Sequence, residues 1–361
     1  MRFSVMFFAS GEATPQETCR TVLETSRLAD RHGLDAVWTP ERHFDQFGSV
    51  FPNPALTSAA LATATEHIQL RAGSLISPLH HTVRIAEDWS VVDNWSSGRA
   101  AVSFGSGWNA NDFVLAPDAY ESRHQVMLEQ IDTVRALWRG EDVELPNGTG
   151  QPFAARLHPR PVQPELPIWI TSSGNPRTFQ DAGARGLNVL THLIGQNLDQ
   201  LAEKVALYRK ARADAGFDPA TGTVSLMLHT HLDDDPAAAE ARSRAPFRDY
   251  LRSAVKLELR AAQGGGTISG GHVLPDDEIP EDLLDELLDA TYERYLQGGS
   301  LIGSPDTCRG TADRVAAAGV DDIACLLDFG VPSERIPAVI PLIAALAGAS
   351  GPGREVVESE H

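Results

Sequence analysis

Side chains able to do chemistry cluster just after short apolar runs. Residues 34–39 lead into Pro40-Glu41-Arg42-His43-Phe44, and residues 68–75 close on Gly73-Ser74. Residues 100–104 run into Gly105-Ser106-Gly107-Trp108-Asn109, and residues 168–171 into Ser172-Ser173-Gly174-Asn175-Pro176. His192 follows the run 187–191, and His229-Thr230-His231 follows the run 224–228. Histidines, glycines and small hydroxyls gathered at such ends have the composition of a site. Ser172, Ser173 and Gly174 stand directly before a helix start, with Arg177 and Thr178 in its first turn. Hydroxyls, free backbone N–H groups and a glycine there make either an anion cradle or an ordinary N-cap. His229 and His231 share one side of a strand and could ligate zinc, but no carboxylate is well placed, so we expect no metal. Gly105-x-Gly107-x-x-Ala110 imitates a dinucleotide fingerprint, yet residues 112–117 do not continue as an amphipathic helix. Its glycines read better as points where a flat ligand or another backbone comes close. Arg84, Glu87, Asp93 and Arg99 read as a structural ion-pair network.

The elements that must position these residues alternate along the chain. Residues 3–8 form a β-rich run, and Thr14-Pro15-Gln16-Glu17 carries the capping box of a following helix. Strands are expected at 34–39, 68–75, 100–104, 168–171, 187–191, 224–228 and 323–328, with helical patterns between them. Eight strands interleaved with helices predict a (β/α)8 TIM barrel, whose chemistry sits at the C-terminal strand ends. A barrel takes ~250 residues, leaving roughly 110 for insertions and tails. The largest insertion is expected between strands seven and eight, about 232–303, with helical patterns at 237–262 and 281–296. Its Gly-rich stretch 264–271 reads as a lid or loose loop. Residues 140–167 read as an excursion or short hairpin. The expected domain is 1–349, followed by a disordered tail at 350–361.

Composition narrows the partners. The chain has 361 residues, 30 Lys+Arg against 49 Asp+Glu, and a formal charge of −19. That argues against nucleic acid or an anionic membrane surface as partner. Three cysteines, Cys19, Cys308 and Cys325, form no disulfide or metal pattern and read as reduced thiols. The apolar stretch 336–349 is shorter than the ~20 residues of a membrane span and contains two prolines. The expectation is a cytoplasmic protein.

Several long motifs then point to a family. ERHF, RAGSLISPLHHTVRIAEDWSVVDNWSSGR, VSFGSGWNANDF, PELPIWITSSGNPRTFQDAG, LMLHTHLDDD and AAGVDDIACLLDFGV occur in order. Over roughly residues 3–335 the chain resembles the bacterial luciferase-like flavin-dependent monooxygenases, in the branch associated with polyketide and nonribosomal-peptide biosynthesis. The resemblance implies FMN, delivered reduced by a separate flavin reductase. It reacts with O2 through a C4a-hydroperoxyflavin to oxygenate a secondary-metabolite intermediate, free or carrier-tethered. It makes Ser172, Ser173, Gly174 and Thr178 the FMN phosphate site. Gly73-Ser74 matches a non-proline cis peptide under the flavin ring, and Gly105, Ser106 and Gly107 match the segment passing its pyrimidine side. His229 becomes the leading candidate acid or base, with His43 and His192 as helpers. Arg42 stands where luciferase has a histidine, so that proton-shuttle role does not transfer. Arg42 is instead expected to stabilise an anionic flavin or a substrate carboxylate. Gly105 replaces the family's reactive cysteine, so no light emission is expected. Homodimers occur among relatives, and the apolar face of 82–95 suits core or interface. The alternatives are a deazaflavin-dependent hydride-transfer enzyme on the same barrel and a non-catalytic flavin-binding protein.

Overall fold

The computed structural model describes residues 1–9, 13–46, 48–263 and 281–348. The expected loop at 264–271 and tail at 350–361 lie outside the described residues. The chain runs β1 (Arg2–Met6), α1 (Pro15–Arg31), β2 (Ala36–Thr39), α2 (Pro54–Ala62), β3 (Gln69–Ile76), α3 (Thr82–Trp95), β4 (Ala100–Gly105) and α4 (Arg123–Arg139). It continues through β5 (Val143–Pro146), β6 (Pro152–Ala155), β7 (Ile168–Ser172), α5 (Pro176–Ala184), β8 (Asn188–His192), α6 (Leu198–Asp214) and β9 (Val224–Leu232). Last come α7 (Pro236–Gln263), α8 (Glu281–Leu296), β10 (Ser300–Gly303), α9 (Pro305–Ala317), β11 (Asp322–Leu326) and α10 (Ile340–Gly348).

Eight of these strands close into a parallel barrel, in the order β1-β2-β3-β4-β7-β8-β9-β11 and back to β1. Local chemistry sets the helix starts as the sequence predicts. Thr14 and Glu17 form the reciprocal capping box of α1, and Asn53, Asn175 and Asn197 cap α2, α5 and α6. The excursion after α4 is the antiparallel hairpin β5–β6.

Two expectations change in the structure. Strand seven does not stop at 228, because β9 continues to Leu232 and places His229 and His231 inside the strand. Its lower half pairs with β11, and β10 pairs with the His229–Leu232 end that the barrel leaves open. That satisfies backbone groups that would otherwise be unpaired at depth. Residues 333–347, after the last barrel strand, read in the sequence as one helix, and that helix is divided. Two 3₁₀ turns, Ser333–Arg335 and Pro337–Val339, precede α10, as expected where proline removes backbone donors.

The barrel interior holds Met6, Trp38, Ala101, Trp169, Leu190 and Met227, a layer of mostly apolar side chains. At its floor, Arg71 is 2% exposed between the Trp38 and Trp169 rings, 4.8 and 4.7 Å from their centroids. Its guanidinium reaches Asp322 at 3.0 Å and Asp35 at 2.6 Å, and Asp322 also accepts from Ser4 and Ser225. A larger apolar core lies between strands and outer helices. No helix among the described residues is long and apolar enough to cross a membrane.

Candidate active site

A cavity of about 230 Å³ opens at the C-terminal mouth of the barrel. Apolar walls come from Met6, Phe8, Ile76, Trp108, Leu190 and Met227, and polar groups from Arg42, Ser74, Ser106, Thr171, Ser173 and His192. The Gly73–Ser74 peptide is cis, and the β3–β4 register shifts there. These glycines are space-limited. A Cβ on Gly73 would lie 2.9 Å from the Trp38 ring, one on Gly105 3.0 Å from Ser74 Oγ, and one on Gly107 2.8 Å from Phe113. Side chains at these positions would collide with Trp38, Ser74 and Phe113, so the three glycines let neighbouring elements pack closely at the edge of the cavity.

The β7–α5 turn reaches the same cavity through Ser173. Gly174 adopts φ +101°, a conformation that favours glycine. Ser172 Oγ accepts from Gly174 N at 3.2 Å, and Asn175 Oδ1 accepts from Arg177 N at 3.0 Å. The turn is thus an N-cap and, through Ser173, one wall of the cavity.

Titratable groups surround the mouth. Glu41 is 3% exposed and accepts from His43 Nε2 at 2.8 Å, His80 Nε2 at 2.6 Å and Ile76 N at 2.7 Å. Burial alone would raise its pKa, but the donors from His43, His80 and Ile76 outweigh that and hold it below the usual carboxylate range. His80 is shifted up: burial opposes its charge, and Glu41 more than compensates. Asp112 is pushed up to about 6 by burial, despite His43 and Arg42 nearby. His192 is pulled down to about 4 by burial, so it is neutral at physiological pH. Its Nδ1 accepts from Ile194 N at 3.2 Å, which leaves the proton on Nε2.

A larger open groove, about 1480 Å³, runs beside α1 and α7 and meets the cavity at Tyr250. None of the sequence-predicted site residues lines it. The smaller cavity is therefore the candidate site.

Comparison with known proteins agrees with this geometry. The luciferase-like monooxygenase family matches residues 1–322. The chain belongs to that family. The oxygenase component of a flavin-dependent trigonelline monooxygenase from Acinetobacter baylyi is 28% identical over 349 residues, covering 93% of this chain and 91% of the relative. Monooxygenase RslO1 from Streptomyces bottropensis shares the fold at TM-score 0.77 and 23% identity, over 97% of this chain and 99% of that one. The oxygenating constituent of 3,6-diketocamphane monooxygenase from Pseudomonas putida, solved with FMN, aligns at TM-score 0.72 and 18% identity over 96% and 98%. F420-dependent enzymes are also among the similar proteins.

Within this luciferase-like barrel, the predicted residues divide. Arg42, Gly73, Ser74, Gly105, Ser106, Gly107, Ser173 and His192 line the cavity together. His43 stands beside it on Glu41, while Ser172, Gly174 and Thr178 form the turn behind Ser173. His229 is displaced from the role expected of it. It is 1% exposed in a box of Phe247, Tyr250, Tyr295 and Phe329, and it does not line the cavity. Burial, with His192 nearby, pulls its pKa to about 3, so its imidazole is uncharged at neutral pH. Among the described residues its Nε2 has no hydrogen-bond partner. Among the described residues no cluster of three or more His, Cys, Asp or Glu could hold a metal. Glu41, Asp112 and Tyr250 were not among the expected site residues, and His80, beside His81, read as a loop or helix-approach residue. Glu41 carried a usable signal, two positions before His43 in the same motif. His80 carried none, since only the fold brings β3's exit against β2's.

Proposed function

We propose that this chain is the oxygenase component of a two-component system. It takes reduced FMN from a separate flavin reductase and uses O2 to oxygenate a small organic substrate, a secondary-metabolite intermediate in the reading the motifs support. The observation that carries this is the joining of two surfaces at one barrel mouth. Gly73, Gly105 and Gly107, which present backbone without side chains, line the same cavity as Ser173 of the β7–α5 turn. That pairing suits a planar ring with a phosphate at one end. Bound reduced FMN supplies the electrons that activate O2 for transfer of one oxygen atom to the substrate.

The chain's own residues supply the rest. Met6, Phe8, Ile76 and Trp108 keep water from the reacting face. Arg42, its guanidinium 5.3 Å from the Phe8 centroid, places positive charge at the cavity wall for a reduced flavin or a substrate carboxylate. His192 offers an Nε2–H donor into the site. Glu41 fixes His43 and His80 and favours the protonated form of His80, so this cluster holds a proton beside the cavity.

The decisive experiment is stopped flow. Anaerobic protein with photoreduced FMN is mixed with oxygenated buffer. A near-ultraviolet transient that outlives the reaction of free flavin is the expected result. Immediate appearance of oxidised flavin, at the rate seen without protein, overturns the oxygenase reading and directs the next assay to reduced F420. Tight binding of oxidised FMN with no transient identifies a carrier of flavin instead. A companion prediction concerns Ser173→Asp. A carboxylate placed against the phosphate should weaken FMN binding by about ten- to a hundredfold, read by equilibrium dialysis. Unchanged affinity would remove Ser173 from the phosphate site.

A further inference from the structure

The β7–α5 turn, taken alone, is a poor site for a doubly charged phosphate. Pro176 has no N–H, Asn175 Oδ1 already takes the N–H of Arg177, and Ser172 Oγ takes that of Gly174. The whole protein carries −19, so long-range field does not attract an anion either. A phosphate held here needs a local cation.

One is already in place, on an element that no sequence motif connects with this turn. Lys204, on α6, directs Nζ onto Gln196 Oε1 at 2.7 Å. Gln196 is 9% exposed and anchored, its Nε2 donating to His192 O at 2.6 Å and Thr191 Oγ1 at 3.2 Å. The ammonium is therefore fixed to the end of β8 by a buried amide. It also lies against the turn: a Cβ built on Gly174 would sit 3.1 Å from both Lys204 Nζ and Gln196 Oε1. Its hydrogen-bond partner is a neutral amide, which leaves donors to spare on the ammonium.

We propose that Lys204 is the phosphate-binding cation of the flavin site, held in position by Gln196 and admitted by the absence of a side chain at Gly174. The proposal rests on the flavin reading above and adds to it a residue from a different βα unit. It predicts that Lys204 senses only the phosphate end of the cofactor. Riboflavin, which has the ring and ribityl chain but no phosphate, is the matched probe.

The test compares photoreduced FMN and riboflavin by anaerobic equilibrium dialysis in wild type, Lys204→Ala, Lys204→Arg and Arg177→Ala. Arg177, exposed on the first turn of α5, is the competing cation. Loss of one charge-assisted contact should weaken FMN binding by about tenfold or more in Lys204→Ala, with riboflavin changed by less than about twofold. Lys204→Arg should recover most of the loss, and Arg177→Ala should retain the wild-type preference for FMN. Equal losses for both flavins would show that Lys204 only shapes the turn and would overturn the proposal. So would an FMN preference that disappears in Arg177→Ala and survives in Lys204→Ala. Wild-type protein that binds riboflavin as tightly as FMN would overturn the phosphate site itself, and wild-type protein that binds neither would overturn the flavin reading.

Discussion

Asp322→Ala should destabilise the barrel by about 3–5 kcal/mol, the largest stability loss expected of any single substitution outside the apolar core. Asp322 is fully buried and accepts from Arg71 Nη1, Ser4 Oγ and Ser225 Oγ. Removing it leaves the Arg71 guanidinium beneath two tryptophans with only Asp35, at the edge of the barrel, to balance it. An uncompensated charge at such depth is what makes one-sided removal of a buried pair costly. Denaturant unfolding measures the effect. The double variant Arg71→Leu/Asp322→Ala takes the orphaned charge away with its partner, so its loss should fall short of the sum of the two singles by about 1–3 kcal/mol. Additive losses would show that the two groups do not depend on each other.

Glu41→Gln should produce the largest functional change. The amide keeps the shape and can still accept from Ile76 N, but it removes the charge that two imidazoles share. Oxygenation should fall by about a hundredfold or more, within the range of a lost acid–base group, while FMN affinity stays close to wild type. The pH dependence of stability distinguishes this cluster from a passive hydrogen bond. Glu41 has a lowered pKa, so its contribution is present above its ordinary value of 4.5 and is lost as pH falls through the lower folded value. His80 has a raised pKa, so its contribution is full below its ordinary value of 6.5 and is lost as pH rises through the higher folded one. The stability gap between wild type and Glu41→Gln should therefore be widest between those two values and narrow on either side. A gap independent of pH would mean that Glu41 acts only through shape.

The division between what was legible and what was not follows from the range of the interactions involved. Helix caps, such as Thr14 with Glu17, act over three residues and are written locally. The β/α alternation, the barrel and the family are carried by periodicity and by motifs within single βα units. The hairpin after α4 was readable for the same reason. The glycines at 73, 105, 107 and 174 were visible at the ends of their strands, but the groups that a side chain there would strike lie on other segments, such as Trp38 for Gly73 and Ser74 for Gly105.

What the sequence left open depends on which strand ends become neighbours. The Glu41–His43–His80 cluster joins β2 to the exit of β3, Lys204 reaches the β7 turn from α6, and Arg71 meets Asp322 across the barrel floor. His229 shows the same limit in reverse. Its residue type and position past an apolar run marked it as an acid or base, but β9 runs on to Leu232 and α7 covers it with Phe247 and Tyr250. The sequence by itself determined the elements, the barrel and the strand ends at which chemistry could occur. Only the tertiary structure decided which ionisable groups there are wet, which are paired and which are sealed in apolar surroundings. Protonation depends on burial and on partners distant in sequence, and no local pattern records either.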